Sequence, residues 1–245
     1  MAAPFLIQAV SDLLSDIPDD GKNLLDLSCK EGDILQSLHA RRFTLRGTNF
    51  EESGPQKNGI PIDYGVDLRK RLPYDDASFD VVLLVEVIEH LSDHQAALGE
   101  LSRILKPGGV LILTTPNIMR LNSRVHFLLS GYHKTKRRFI PFDTPLDQAH
   151  RFHNYPIDLP ILYYLCKQNG LELEQMGHSK VKPYSRFLLA VLGLPVLAYT
   201  WYTLWIREKN PRQQQENMRL LRWLRHPRLL MEDNLALRLR KVEAG

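Results

Sequence analysis

The 245-residue chain has two cysteines, Cys29 and Cys166. That excludes a disulfide framework and a C-x-x-C metal pair, and a reducing, cytoplasmic setting is expected. The opening stretch MAAPFLIQAVSDLLSDIPDDG lacks the basic start of a secretory signal and carries Asp12 and Asp16. Its apolar spacing at Phe5, Leu6, Ala9 and Leu13 predicts an amphipathic helix instead. No tandem repeat or low-complexity tract occurs, which excludes solenoids and fibrous arrays. Charged residues make up 24% and hydrophobic residues 44%, the balance of a folded chain large enough for one core.

Basic residues are scarce early and acids are scarce late. Residues 1–100 hold 9 Lys/Arg against 18 Asp/Glu, and residues 101–245 hold 23 against 10. The second half is therefore expected to meet something anionic: a membrane surface, a phosphorylated substrate or nucleic acid.

Strands and helices alternate along the first half. NLLDLS (23–28), FTLRGTNF (43–50), GIPIDYGVDL (59–68), SFDVVLLVEV (78–87) and VLILTTP (110–116) read as strands. The Val/Leu run of 78–87 lacks alternation, as in a parallel strand buried on both faces. Helices are expected at 32–39 and 93–105, the second stopped by KPGG at 106–109. This order predicts an α/β doubly wound sheet, whose ligands bind at the carboxyl ends of the strands. Those ends carry Asp26–Gly32, Gly47–Glu51, Asp67–Leu68, Glu86–His90 and Thr115–Asn117.

The run LPYDDASFDVVLLVEVIEHLSDHQAALGELSRILKPGGVLILTTPN (72–117) combines a D-x-x-F-D entry, an E-H pair and L-K-P-G-G in that order. With the loop of LLDLSCKEG (24–32), it resembles the class I S-adenosylmethionine-dependent methyltransferases, most closely those acting on ubiquinone precursors or bacterial surface sugars and lipids. The resemblance implies a Rossmann-like seven-stranded sheet with helices on both faces and S-adenosylmethionine as cofactor. The family's D-x-G-x-G-x-G loop falls on Asp26, Ser28, Lys30 and Gly32, so two glycines are replaced. Lys30 fits only with negative φ or with its side chain outside the pocket. Asp26 is either a cofactor residue or simply the end of a strand and a helix cap. By resemblance, Asn49 stands where an acid usually grips the ribose, with Glu51 as a substitute. Asp67 and Leu68 correspond to the adenine side, and Glu86 to the pocket floor. His90 is either an active-site histidine or a loop-orienting one. His150 and His153 precede the helix on the family's substrate side; His150 is the favoured base for an O-methylation, with a structural role for both left open. No metal-ligand set is expected; His90 and His94 lack a strong third partner.

The basic cluster Lys134, Lys136, Arg137 and Arg138 is either a solvated loop or a clamp for phosphate or lipid headgroups. FLLAVLGLPVLAYTWYTLWI (187–206) is uncharged, long enough to span a bilayer, and carries Trp201 and Trp205 near its end. Pro195 is expected to break it into a kinked or re-entrant hairpin. In NMRLLRWLRHPR (217–228), Met218, Leu221 and Leu224 share one face and Arg219, Arg222 and Arg225 another, as in a basic helix lying on an anionic membrane. LLMEDNLALRLRKV (229–242) then reads as the last strand. The expected organisation is a methyltransferase domain of residues 1–182 plus 229–245, with 183–228 as an apolar, basic insertion before that strand. A full span would strand the last strand across the membrane, so one-sided, monotopic insertion is expected. A buried helical pair or a homodimer contact is the other reading of this segment.

Two function classes follow. The first is an enzyme transferring methyl to a lipid, quinone-like or lipid-linked sugar acceptor, seated peripherally on the inner face of a membrane. The second is a methyltransferase-like membrane scaffold or regulatory subunit without activity. Nucleic acid is disfavoured as a partner by the long apolar segment.

Overall fold

The computed structural model describes residues 3–54, 59–135 and 139–242, and for 146, 147 and 150 the backbone alone. One seven-stranded sheet runs in the order β3-β2-β1-β4-β5-β7-β6. Its strands are β1 (Asn23–Leu27), β2 (Thr44–Thr48), β3 (Ile62–Asp63), β4 (Phe79–Val85), β5 (Leu105–Pro116), β6 (Leu171–Met176) and β7 (Asn234–Lys241). The first five pair in parallel, and β7 lies antiparallel between β5 and β6.

The unalternating Val/Leu runs have a simple cause: both faces of the sheet are covered. Leu25, Leu27, Val82, Leu84, Leu111 and Leu113 share a core with α3 (His94–Ile104) and α5 (Leu159–Gln168). Leu24, Val81, Leu83, Val110 and Ile112 meet α1 (Pro4–Leu14) and α2 (Asp33–Ser37) on the other side. Each fully buried Leu contributes about 1.5–3 kcal/mol, so the central strands dominate stability. β5 begins at Leu105, directly after α3, where the sequence suggests a turn through 106–109. Gly108, at φ 73°, and a register shift between Phe79 and Val81 absorb the bend within the strand.

Between β6 and β7 come α6 (Pro183–Trp201), a π-helical turn at Tyr202–Ile206, α7 (Pro211–Leu224) and α8 (Pro227–Met231). Both ends of this excursion are closed at the sheet by a Val181–Glu232 bridge. Glu232, 2% exposed, accepts from His178 Nδ1 and from the Ser179 N–H, each at 2.6 Å. α6 runs unbroken through Pro195, so no hairpin forms inside 187–206. Pro195 removes one backbone donor, but it and Val191 lie on the exposed side, where the orphaned carbonyl is not trapped in the core. The reversal comes after the π turn. There Asn217 Nδ2 donates to the Leu204 carbonyl at 2.9 Å and Gln214 Nε2 to that of Trp205 at 2.9 Å. These amides satisfy carbonyls that a helix end leaves without partners.

The amphipathic face of α7 is not available to a bilayer. Leu221, Trp223 and Leu224 are buried, the last two within the main core, while Met218 is exposed. Arg219, Arg222 and Arg225 face outward. A long exposed apolar surface lies instead on α6 and the π turn, Pro183–Ile206, where only 6% of the most apolar stretch is buried.

Candidate active site

The loop after β1 solves the missing-glycine problem with strain. Ser28 (φ 64°), Lys30 (φ 51°) and Gly32 (φ 72°) all adopt the left-handed conformation that glycines supply at no cost. Lys30 therefore does not take negative φ; the residue is exposed and stands at the lining of the cleft. Left-handed backbone costs a side-chain-bearing residue about 1–2 kcal/mol. Asn49, at the end of β2 and 8% exposed, holds the Lys30 peptide from both sides. Its Oδ1 accepts the Lys30 N–H at 2.7 Å and its Nδ2 donates to the Lys30 carbonyl at 3.0 Å. Thr48 fixes the preceding residues through Ser28 N–H to Oγ1 (3.0 Å) and Cys29 N–H to its carbonyl (2.9 Å). A Cβ on Gly47 would lie 2.7 Å from Cys29 Sγ, so the loop packs onto β2 only over a glycine.

Asp26, Ser28, Lys30, Asp33 and Glu86 line a cleft over the ends of β1 and β4, with Leu6 of α1 on its wall. Asp26 is 2% exposed and its Oδ2 is buried without a hydrogen-bond partner. Burial pushes its carboxyl up to about 8. Asp26 does not cap α2, whose N-cap is Gly32. An orphaned buried carboxylate asks for a cation or donor. It fits the ammonium end of an amino-acid-like cofactor such as S-adenosylmethionine, whose close approach the left-handed loop permits.

The ribose and adenine positions are less free than the sequence suggests. The Asn49 amide is committed to Lys30. Glu51, two residues on, is exposed. Asp67 is held by Arg69 through contacts of 2.9 Å to each oxygen, and the guanidinium keeps its carboxyl below the usual range. Leu68 is half-buried against the main core. The sequence reading passed over Phe50, 48% exposed, with Arg69 5.6 Å from its ring centroid.

Glu86 follows β4 with φ 55°, strain of the kind that gathers at functional sites. It accepts from Thr114 Oγ1 at 3.0 Å and from Asn234 Nδ2 at 2.8 Å, so β5 and β7 both hold it. Three residues on, Glu89 is 0% exposed and accepts from Thr115 Oγ1 at 3.1 Å. Burial, and then the charge of Glu86, raise its carboxyl well above the ordinary range. His90 and His153 meet edge to face, ring centroids 4.9 Å apart. Glu89, His90 and His153 thus form one cluster that sequence spacing did not suggest. The E-x-x-E-H run was the available signal; His153 joins it only through the fold. His94 turns to the Ile88 carbonyl at 3.1 Å instead. His150 lies in the 3-10 turn Leu146–Arg151, and its side chain is outside the described residues.

Of the basic cluster, Lys136, Arg137 and Arg138 lie outside the described residues, and Lys134 is exposed. Trp201 (45%) and Trp205 (38%) are exposed on the α6 segment. α4 (Leu121–Ser130) packs against α6 and ends in Phe127, Leu128 and Leu129, the last two about four-fifths exposed.

An orphaned acid under a left-handed loop, on a seven-stranded sheet with an antiparallel β7, defines the class of S-adenosylmethionine-dependent methyltransferases. A family model described as a methyltransferase domain matches residues 3–178, and the chain belongs to that family. It is 35% identical over 107 residues to a ubiquinone biosynthesis O-methyltransferase of Paramagnetospirillum magneticum, covering 41% of this chain and 43% of the relative. The enzyme of the same description from Dinoroseobacter shibae is 32% identical over 113 residues, 43% and 46% of the two chains. The chain thus spans less than half the length of these curated relatives. A S-adenosylmethionine-dependent methyltransferase from Archaeoglobus fulgidus superposes with TM-score 0.53 at 14% identity, covering 96% of this chain and 94% of that one. A Haemonchus contortus phosphoethanolamine N-methyltransferase, solved with S-adenosylmethionine, gives 0.52 at 15% identity, covering 97% and 52%.

Proposed function

We propose that the chain methylates a hydroxyl of a lipid, quinone-like or lipid-linked sugar acceptor, and that it works from the inner face of a membrane. The observation that carries the reaction is the junction at Glu86. This residue lines the donor cleft, and its charge acts on the Glu89–His90–His153 cluster. Bound in that cleft, S-adenosylmethionine supplies a methyl group on a sulfonium, an electrophile that needs alignment more than activation. The residues under the loop bind and orient it. The cluster beside Glu86 receives the acceptor and handles the proton that an O-methylation must remove. The O-methyltransferase relatives support a hydroxyl acceptor. The membrane seat rests on the exposed apolar length of α6 and on the outward arginines of α7.

Asp26→Asn tests the donor site. The amide keeps the shape and removes the charge that pairs with an ammonium. Affinity for S-adenosylhomocysteine is expected to fall about 10- to 100-fold, a charged hydrogen bond of about 1.5–3 kcal/mol. The same carboxyl gives a pH signature. Its folded value of about 8 lies above the ordinary 3.8 of an exposed aspartate, so its stabilising effect is complete below about pH 4 and lost as pH rises through about 8. Ligand binding at pH 7 then releases a proton, and calorimetric heats should vary with the ionisation enthalpy of the buffer. A folded chain that takes neither S-adenosylmethionine nor S-adenosylhomocysteine at millimolar concentration would be the scaffold instead.

A further inference from the structure

Arg124 is a cation without a counter-charge. It sits near the start of α4 and is half-buried. Its Nε–H donates to the Met119 carbonyl at 2.6 Å, which holds the guanidinium in place. Among the described residues no carboxylate pairs with it, and neither Nη group has a hydrogen-bond partner. Burial pulls its guanidinium down from its ordinary value, and no neighbouring charge offsets that. A pinned fork with its outer N–H bonds free is the form in which arginine takes a carboxylate or phosphate bidentately.

Its neighbours share the same deficit. Arg120, whose carbonyl accepts the Arg124 N–H at 3.1 Å, is 9% exposed, and its Nε is buried with no hydrogen-bond partner. Its Nη1 meets Asp233, but that carboxylate also takes Lys182 at 3.2 Å, so one acid serves two cations. Like charges at i and i+4 repel, and cations at a helix start oppose its dipole. The first turn of α4 carries no acid to correct this. Thr135 Oγ1 is buried without a partner, next to Lys134, whose carbonyl accepts from Arg120 Nη2 at 3.2 Å. One bound anion relieves every one of these costs. The place is the carboxyl end of β5, where doubly wound sheets bind ligands. Met119, which holds Arg124, also accepts the Leu159 N–H of α5 through its sulfur at 3.3 Å. Just before α5, the Tyr155 N–H donates to the Glu89 carbonyl at 3.0 Å. Two contacts thus link the arginine to the Glu89–His90–His153 cluster.

We infer that Arg124, with Arg120 and Thr135, forms an oxyanion subsite that takes a carboxylate or phosphate of the acceptor. This deepens the proposed methyl transfer and rests on it only for calling the ligand an acceptor. It narrows the acceptor to molecules that carry an acidic group as well as a hydroxyl. The guanidinium fork fixes the acidic group in position and orientation, which is the alignment that transfer from a sulfonium requires.

The experiment is calorimetric titration of the full chain with inorganic pyrophosphate and with benzoate at low salt, with S-adenosylhomocysteine binding measured on the same samples. At least one of the two anions is expected to bind with a submillimolar Kd and to raise the melting temperature. Arg124→Gln should weaken that binding at least tenfold. Arg124→Lys should weaken it less, because it keeps the charge and loses the fork. Arg212→Gln, at an exposed arginine of α7, should leave it unchanged. Retained binding of S-adenosylhomocysteine certifies the fold of each variant. Flotation with phosphatidylglycerol vesicles separates the two sources of an oxyanion, and the Arg124→Gln chain should float as the wild type does. Loss of flotation in that variant, with neither soluble anion bound by the wild type, would make Arg124 a headgroup contact and overturn the acceptor subsite. Equal weakening in Arg212→Gln would reduce the effect to net charge and overturn it too. A wild-type chain that takes S-adenosylhomocysteine but neither anion sinks the subsite and leaves the methyltransferase reading. Anion binding that depends on Arg124, in a chain that takes no S-adenosylhomocysteine, keeps the subsite and sinks that reading.

Discussion

Changing Phe187, Leu194 and Trp205 together to Asp is expected to release the protein from anionic vesicles by about a thousandfold while leaving its melting temperature nearly unchanged. The three side chains are 69%, 80% and 38% exposed on the α6 segment. Substitutions at exposed sites usually shift stability by ~0.5 kcal/mol or less. In a bilayer each such residue contributes about 1.5–3 kcal/mol, so three together supply roughly 5 kcal/mol or more. The topology limits how they could meet lipid on the proposed seat. Residues 183–206, at 24 residues, reach about 36 Å and are long enough to cross. The return, α7 with 14 residues, reaches only about 21 Å and carries exposed arginines. Yet β7 must come back to pair with both β5 and β6. On the proposed membrane seat the segment would therefore lie on or dip into one leaflet, with the arginines of α7 near headgroups at about 1 kcal/mol each. Flotation with anionic and with neutral vesicles, beside a thermal melt, checks this. A wild-type chain that stays soluble with anionic vesicles refutes the membrane seat. A soluble wild-type dimer that the triple variant turns into a monomer would make α6 a subunit contact.

The sheet was readable because its core strands must be apolar on both faces, which only burial between helix layers explains. β7 was readable for a related reason: Leu235, Leu237 and Leu239 alternate with Arg238 and Arg240 because that strand is covered less completely. What escaped was set by contacts distant in sequence. Pro195 signals a break only if its neighbours need the lost hydrogen bond, and on the exposed side of α6 they do not. The α7 pattern is the same for a helix on lipid as for one on protein, and Trp223 in the core decides between them. At the site, Asp26 and Glu86 stand at the strand ends where the motif puts them. His153 could not be joined to Glu89 from spacing, because the two are brought together by the bond from Tyr155 to the Glu89 carbonyl.

Asn49→Asp separates two accounts of one residue, because they predict opposite signs. If position 49 grips a ribose diol, restoring the acid that usually stands there tightens donor binding, since a carboxylate accepts both hydroxyls. The geometry predicts the reverse. Asn49 serves the Lys30 peptide as acceptor at 2.7 Å and as donor at 3.0 Å. A carboxylate keeps the first bond and loses the second, and it sets negative charge against the Lys30 carbonyl at a site only 8% exposed. An unsatisfied buried acceptor costs about 1–3 kcal/mol, and the repulsion adds to it. The melting temperature should fall by about 4–10 °C for a chain of this size. Affinity for S-adenosylhomocysteine should fall more than tenfold as the loop leaves its left-handed form. Lys30→Gly supplies the control: glycine adopts positive φ without strain, so this variant should be more stable by roughly 0.5–1 kcal/mol. In the double variant the clamp has less strain to hold, so the two effects should fall short of additivity, with a coupling of about 0.5–3 kcal/mol in favour of the pair. Tighter donor binding by Asn49→Asp, with stability unchanged, would return the residue to the ribose and leave the conformation of Lys30 without its support.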